Sequence, residues 1–169
     1  MDVSSSALAD SDARGAHYPA VQARIASLLE GETDWIAALA TVACELHHSS
    51  ARFHWTGFYR RVGNELVIGP YQGGHGCLRI ALDRGICGAA ARSRQTQRVD
   101  EVRARPDHIA CSAATRSEIV VPVLSASGEL LAVLDIDSDL PAAFSEHDQG
   151  HLESICADLG RRFPNAPVG

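Results

Sequence analysis

One cysteine, Cys111, stands among small residues in the run Ala110-Cys111-Ser112-Ala113-Ala114. Seven positions later Glu118 opens the apolar stretch Ile119-Val120-Val121-Pro122-Val123. Small neighbours leave room for a reactant to reach a thiol, whereas a structural cysteine sits more often among bulky aliphatics. A carboxyl at the mouth of an apolar strand can handle a proton. Farther along, Asp135 and Asp137 alternate with Leu134 and Ile136, which on a strand puts both acids on one face beside apolar neighbours. Burial and mutual repulsion raise the pKa of at least one member of such a pair, unless the strand ends there and both are solvated. A thiol in reach of crowded carboxyls reads as thiol chemistry.

The chain has five cysteines. An odd count does not suit a complete disulfide framework, and the spacing lacks the paired C-x-x-C pattern of zinc sites. Cys44 and Cys156 lie beside or on apolar helical stripes and read as small core residues. Cys77 follows the flexible loop Gln72-Gly73-Gly74-His75-Gly76. With no helix directly after it and no lysine, that loop is a weak phosphate cradle. Cys87 falls near the N-terminus of a helix opened by Gly85. It is either a thiol mildly activated by that terminus or a packing residue, and packing is favoured.

Several elements must position these groups. Pro19 opens a helix with the stripe Val21, Ile25, Leu28 and Leu29, ended at Gly31, and Thr33 or Asp34 caps a second with Ile36, Leu39, Ala43 and Leu46. Residues 53–62 and 65–71 read as strands joined at Gly63-Asn64. On the first, Trp55, Gly57 and Tyr59 share a face, with Gly57 opening a slot between the aromatics or all three simply packing as core. A short strand starts at Cys77, residues 98–102 are extended, and 118–124 with 129–137 form a hairpin. The last helix starts at Ser145, with Asp148 placed for a capping box, and carries the stripe Leu152, Ile155, Cys156, Leu159 and Phe163. Helices around two hairpins predict an α/β (α+β) domain built on a central antiparallel sheet.

Composition sets the outer limits. The 169 residues are 46% hydrophobic and 21% charged, which fits one soluble domain. We expect a flexible N-terminus over 1–16, a single domain over 17–163 and a tail over 164–169. A net charge of −6 argues against nucleic acid. All 15 basic residues are arginine and they are scattered, so they define no phosphate patch. The N-terminal residues lack a signal-peptide core and no stretch would span a membrane, so the expected location is the cytoplasm, where thiols stay reduced.

The segments Trp55-Thr56-Gly57-Phe58-Tyr59, Arg84-Gly85-Ile86-Cys87-Gly88, His108-Ile109-Ala110-Cys111, Ser117-Glu118-Ile119-Val120-Val121-Pro122 and Val133-Leu134-Asp135-Ile136-Asp137-Ser138 together resemble free methionine-(R)-sulfoxide reductase, over roughly residues 35–160. That family has the GAF fold and acts on the free amino acid. The resemblance implies that Cys111 is the catalytic thiol, Cys77 the resolving thiol and Cys87 the family's third cysteine. It implies that Trp55 and Tyr59 form the wall for the substrate methyl. Glu118, Asp135 and Asp137 would be the cluster that grips sulfoxide and ammonium, with Glu118 and Asp137 also serving catalysis. The implied cycle passes through a sulfenic acid and a disulfide, is regenerated by thioredoxin and needs no metal or organic cofactor. The sequence departs from the family pattern at Gly74 and Gly76, where lysine and alanine are expected, at Ser112, commonly aspartate, and at Arg116, commonly a small polar residue.

Two other functions fit the same fold: a GAF sensor module that binds a small ligand without catalysis, and a redox switch built on Cys77 and Cys111. Three thiols have no role in such ligand binding, and turnover with free methionine sulfoxide separates the enzyme from the switch, so the enzyme ranks first, then the sensor, then the switch. Pairing into a homodimer through the terminal amphipathic helix is a further expectation.

Overall fold

The computed structural model describes residues 15–169. The flexible terminus expected over 1–16 therefore lies outside the described residues, apart from Gly15 and Ala16. Helix α1 (Tyr18–Leu28) has a proline in its first turn, and α2 (Trp35–Ser49) starts at Asp34, whose carboxylate accepts from the Ala37 N–H at 2.7 Å. The stripe of α2 is Trp35, Ala38, Leu39, Val42, Ala43 and Leu46, which keeps Leu39, Ala43 and Leu46 of the expected one and departs from it at Ile36. Trp35 takes the core position, Ile36 turns outward at 42% exposure, and Cys44 is exposed and not a core residue. On α1, Leu29 is buried and Leu28 is exposed, because the position four residues after Ile25 continues the stripe.

The sheet has six antiparallel strands in the order β3-β2-β1-β6-β5-β4. Their spans are β1 Trp55–Val62, β2 Glu65–Gln72, β3 Arg79–Ala81, β4 Gln97–Val99, β5 Ser117–Leu124 and β6 Leu130–Ser138. Three boundaries differ from expectation. Phe53 is buried ahead of β1 without joining the ladder, and Cys77 belongs to the loop before β3. Residues 98–102 divide between β4 and a 3-10 turn (Val102–Ala104) held by the Glu101 carboxylate, which accepts from Arg103 N–H.

Alternation splits the strands between two cores. Phe58, Ile119, Val121, Val123, Leu134 and Ile136 face α1, α2 and α4 (Glu146–Arg162). Tyr59, Val120 and Val133 face the other way, toward α3 (Gly85–Ser93) and the long segment between β4 and β5. Helix α4 carries the expected capping box, with the Ser145 N–H donating to Asp148 at 2.7 Å. The fully buried Asp148 also accepts from the Tyr18 hydroxyl at 2.8 Å and from Arg52 at 3.1 Å, so α1, α4 and the turn before β1 meet on one carboxylate. The α4 stripe, Cys156 included, is buried within the chain and offers no support for pairing through that helix. Among the described residues, no helix is long and apolar enough to cross a membrane.

Candidate active site

The second face of the sheet is where the chemistry-bearing residues meet. Trp55 pairs with Asp137, Asp137 pairs with Glu118 and Glu118 pairs with Val99, so one cross-strand row runs Trp55, Asp137, Glu118 over β1, β6 and β5. The next row on that face is Gly57, Asp135, Val120. Register alone thus gathers three carboxyls and an indole at the ends of three adjacent strands.

Trp55 lies flat over Gly57. Its ring centroid is 5.3 Å from Tyr71 and 5.9 Å from Tyr59, both near-parallel. A Cβ on residue 57 would come within 2.6 Å of the indole and 2.5 Å of the Tyr71 Cβ. The slot expected at Gly57 therefore exists, but the Trp55 ring itself fills it. The 73–76 loop drapes across that ring: Trp55 Nε1–H donates to the Gly74 carbonyl at 3.0 Å, and a Cβ on Gly76 would meet the indole at 2.9 Å and the Tyr59 hydroxyl at 3.0 Å. Gly73, at φ 113°, makes the turn that brings the loop back over β1.

That loop ends at Cys77, which is joined by a disulfide to Cys111, with Cα atoms 5.6 Å apart. The bridge links two segments that the sheet leaves irregular, and Cys111 stays at the surface end of the site. Beneath it lies a cavity of ≈ 390 Å³ lined by Trp55, Tyr59, Cys87, Glu118, Asp135 and Asp137, a volume typical of small-molecule sites.

The cavity floor is acidic and largely buried. Glu118 and Asp135 are 5% and 6% exposed. Loss of solvent raises Glu118 well above the usual carboxyl range, and the charges of Asp135 and Asp137 push it further. Burial raises Asp137 likewise, with Asp135 and Asp139 adding repulsion. Burial also pushes Asp135 up to about 7, opposed by hydrogen bonds from Cys87 and Glu118. At neutral pH the three acids therefore hold protons among them. Asp135 Oδ1 is buried without a hydrogen-bond partner. Tyr59 is kept protonated by burial and by the carboxylates around it.

Cys87, on α3, does not behave as a thiol activated by a helix terminus. It is buried, its Sγ–H donates to Asp135 Oδ2 at 3.5 Å, and desolvation plus the surrounding acids hold it well above an ordinary thiol pKa. Burial, with the charges of three carboxyls, outweighs the helix end here. Ligand atoms of Cys87, Glu118 and Asp135 all lie within 4.8 Å of one another, so a thiol and two carboxylates could hold a cation if their protons left.

Sequence reasoning singled out eight site residues, and the structure brings all eight to this cavity or its rim. Among the neighbours that sequence reasoning did not assign to the site are Tyr71 and His108. Tyr71 backs the Trp55 ring. His108 places Nε2 3.6 Å from Glu118 Oε2. The position of Tyr71 could have been read from its place opposite Gly57 on β2. Nothing periodic marks His108.

Comparison with known proteins agrees with this geometry. The GAF domain family matches residues 31–162. Free methionine-R-sulfoxide reductase of Escherichia coli (strain K12) is 39% identical over 133 residues, covering 79% of this chain and 80% of the relative. Its counterpart in Saccharomyces cerevisiae is 36% identical and covers 76% of this chain and 75% of the relative. The X-ray structure of free methionine-R-sulfoxide reductase from Neisseria meningitidis in complex with its substrate superposes with a TM-score of 0.84 at 43% identity, covering 89% of this chain and 90% of that one. Fold, site geometry and these likenesses agree: the chain belongs to the GAF-domain family of free methionine-(R)-sulfoxide reductases.

Proposed function

We propose that this chain reduces free L-methionine-(R)-sulfoxide to methionine. The observation that carries the reading is the position of the Cys77–Cys111 disulfide: Cys111 lines the cavity whose floor is Glu118, Asp135 and Asp137 and whose wall is Trp55. Each part answers a need of the reaction. The sulfoxide sulfur becomes electrophilic as its oxygen takes a proton, and a carboxyl whose pKa is raised by burial is the right donor near neutral pH. Glu118 serves as that acid. Asp135, with an unpartnered buried oxygen, and Asp137 receive the substrate ammonium, a group that an internal methionine of a protein lacks. Trp55, firmly held by Gly57 and Tyr71, and Tyr59 receive the methyl.

The thiolate of Cys111 attacks the sulfur as Glu118 protonates the oxygen. Oxygen ends on Cys111 as a sulfenic acid, methionine leaves, its sulfur gains two electrons and the Cys111 sulfur loses two. The Cys77 thiolate then attacks the Cys111 sulfur. The S–S bond forms and the oxygen departs as water, taking a proton from the carboxyl cluster. Exchange with a thioredoxin-like dithiol restores both thiols. The net reaction is sulfoxide plus dithiol to sulfide, disulfide and water, so the electrons need no metal or organic cofactor. The cycle also requires a compartment that keeps thiols reduced, which supports a cytoplasmic location.

A coupled assay with thioredoxin, its reductase and NADPH tests the reading. Free (R)-sulfoxide should consume NADPH and the (S) epimer should not. Equal rates with both, or no rate from folded protein with free thiols, would overturn it.

A further inference from the structure

The reaction proposed above makes two demands on protons in each turnover, one at the sulfoxide oxygen and one at the oxygen leaving Cys111. Glu118 can meet them only if it is recharged. Its close neighbours on β6 are Asp135 and Asp137, which compete for the same protons. Arg105 is committed to Asp107 through two contacts of 2.8 and 2.7 Å. The cavity is also lined by His108, on the segment between β4 and β5. His108 sets Nε2 3.6 Å from Glu118 Oε2, its side chain 14% exposed against 7% for Glu118. It also sits three residues before Cys111, on the segment that carries the nucleophile.

Resting on that functional reading, we propose that His108 is a positioning residue that passes protons between solvent and the Glu118 carboxyl and so resets the acid after each transfer. In the disulfide state, where the acid must be reset, the two side chains already face each other. Each transfer moves one proton from imidazolium to carboxylate, and the neutral imidazole takes the next from water. The titratable and charged groups around His108 are Glu118 from β5, Asp107 and Arg105 on its own segment and, lining the same cavity, Asp135, Asp137 and Asp139, Cys87 of α3, Tyr59 of β1, His54 and His75. Burial lowers the imidazole's affinity for its proton, with Asp107 opposing and Arg105 assisting. The protonated ring is therefore a stronger acid than usual, gives its proton up readily and is recharged by solvent, as a relay requires.

Two measurements decide it. The first follows the His108 ring by NMR titration of the oxidised full chain, wild type against Glu118→Gln, and needs no activity. A coupled pair predicts that the wild-type His108 ring reports a second titration step at higher pH, as Glu118 loses its proton, and that this step is missing in the variant. An identical titration in both proteins overturns the proposal. The second measures kcat and KM from pH 5 to 9. His108→Gln should lower kcat about tenfold with little change in KM, and imidazole in the buffer should restore part of the kcat of His108→Ala. Wild-type kcat and pH profile in His108→Gln, or a loss that falls on KM and resists imidazole, overturn it. If wild type itself fails to turn over the (R)-sulfoxide, the functional reading fails, while the titration still decides whether the two groups share a proton.

Discussion

Glu118 and Asp137 are direct register partners across the β5–β6 ladder, with Trp55 opposite Asp137 on the other side. Like charges directly opposed in a sheet are unfavourable, and here Glu118 is buried and Asp137 partly buried, with the buried Asp135 two residues away. The pairing is stable only if protons are shared among the acids. Backbone register, fixed by the apolar residues on the reverse face, therefore forces this site to hold an acid near neutral pH. Turnover should fall as pH rises and the shared protons are lost. Glu118→Gln should cost on the order of a hundredfold in kcat or more, checked by steady-state rates.

The same proton is visible in stability. Asp135 is raised from 3.8 to about 7 in the folded chain. The folded state then binds more protons than the unfolded state between those values, so this group's contribution to stability falls as pH rises from about 4 to 7. Asp135→Asn removes that dependence. Its melting temperature relative to wild type should become more favourable between pH 5 and pH 8, by the equivalent of on the order of 1–3 kcal/mol. A constant difference across that range would refute the buried, protonated state.

The three site thiols should separate cleanly. Cys111→Ser should lose turnover by about a thousandfold or more. Cys77→Ser should still release methionine once but fail to recycle with thioredoxin, with Cys111 trapped as a sulfenic acid that a dimedone-type probe labels. Cys87 is held protonated and donates to Asp135, so Cys87→Ser should stay within about threefold of wild type and Cys87→Ala, which removes the donor, should fall further.

Gly57 and its ring neighbours give a steric test. A Cβ there would lie 2.5 Å from the Tyr71 Cβ and 2.6 Å from the Trp55 ring. Gly57→Ala should destabilise the chain by roughly 1–3 kcal/mol, and because the indole must tilt into the cavity, KM should rise. Denaturant unfolding and steady-state kinetics read the two effects separately.

Strand alternation made most of the site legible. Trp55 with Tyr59, and Asp135 with Asp137, could be assigned to one face each because side chains alternate with period two, and the Ser145–Asp148 cap fixed where the last helix starts. On α2 only the first stripe position was misread, because Ile36 and Trp35 compete for it and the larger ring took the core. The filling of the Gly57 slot by its own neighbour escaped the sequence, since a ring's tilt depends on Tyr71 from another strand. His108 escaped because the segment between β4 and β5 is irregular, and only tertiary packing brings it to Glu118.

The most direct test of the account uses no reductase. Fully reduced protein is mixed with excess free L-methionine-(R)-sulfoxide, and methionine, free thiols and the peptide map are measured. The account predicts a burst of about one methionine per chain, loss of two thiols, and a disulfide between Cys77 and Cys111, with Cys111→Ser giving no burst. Methionine formed without that disulfide, or an equal burst from Cys111→Ser, would contradict it.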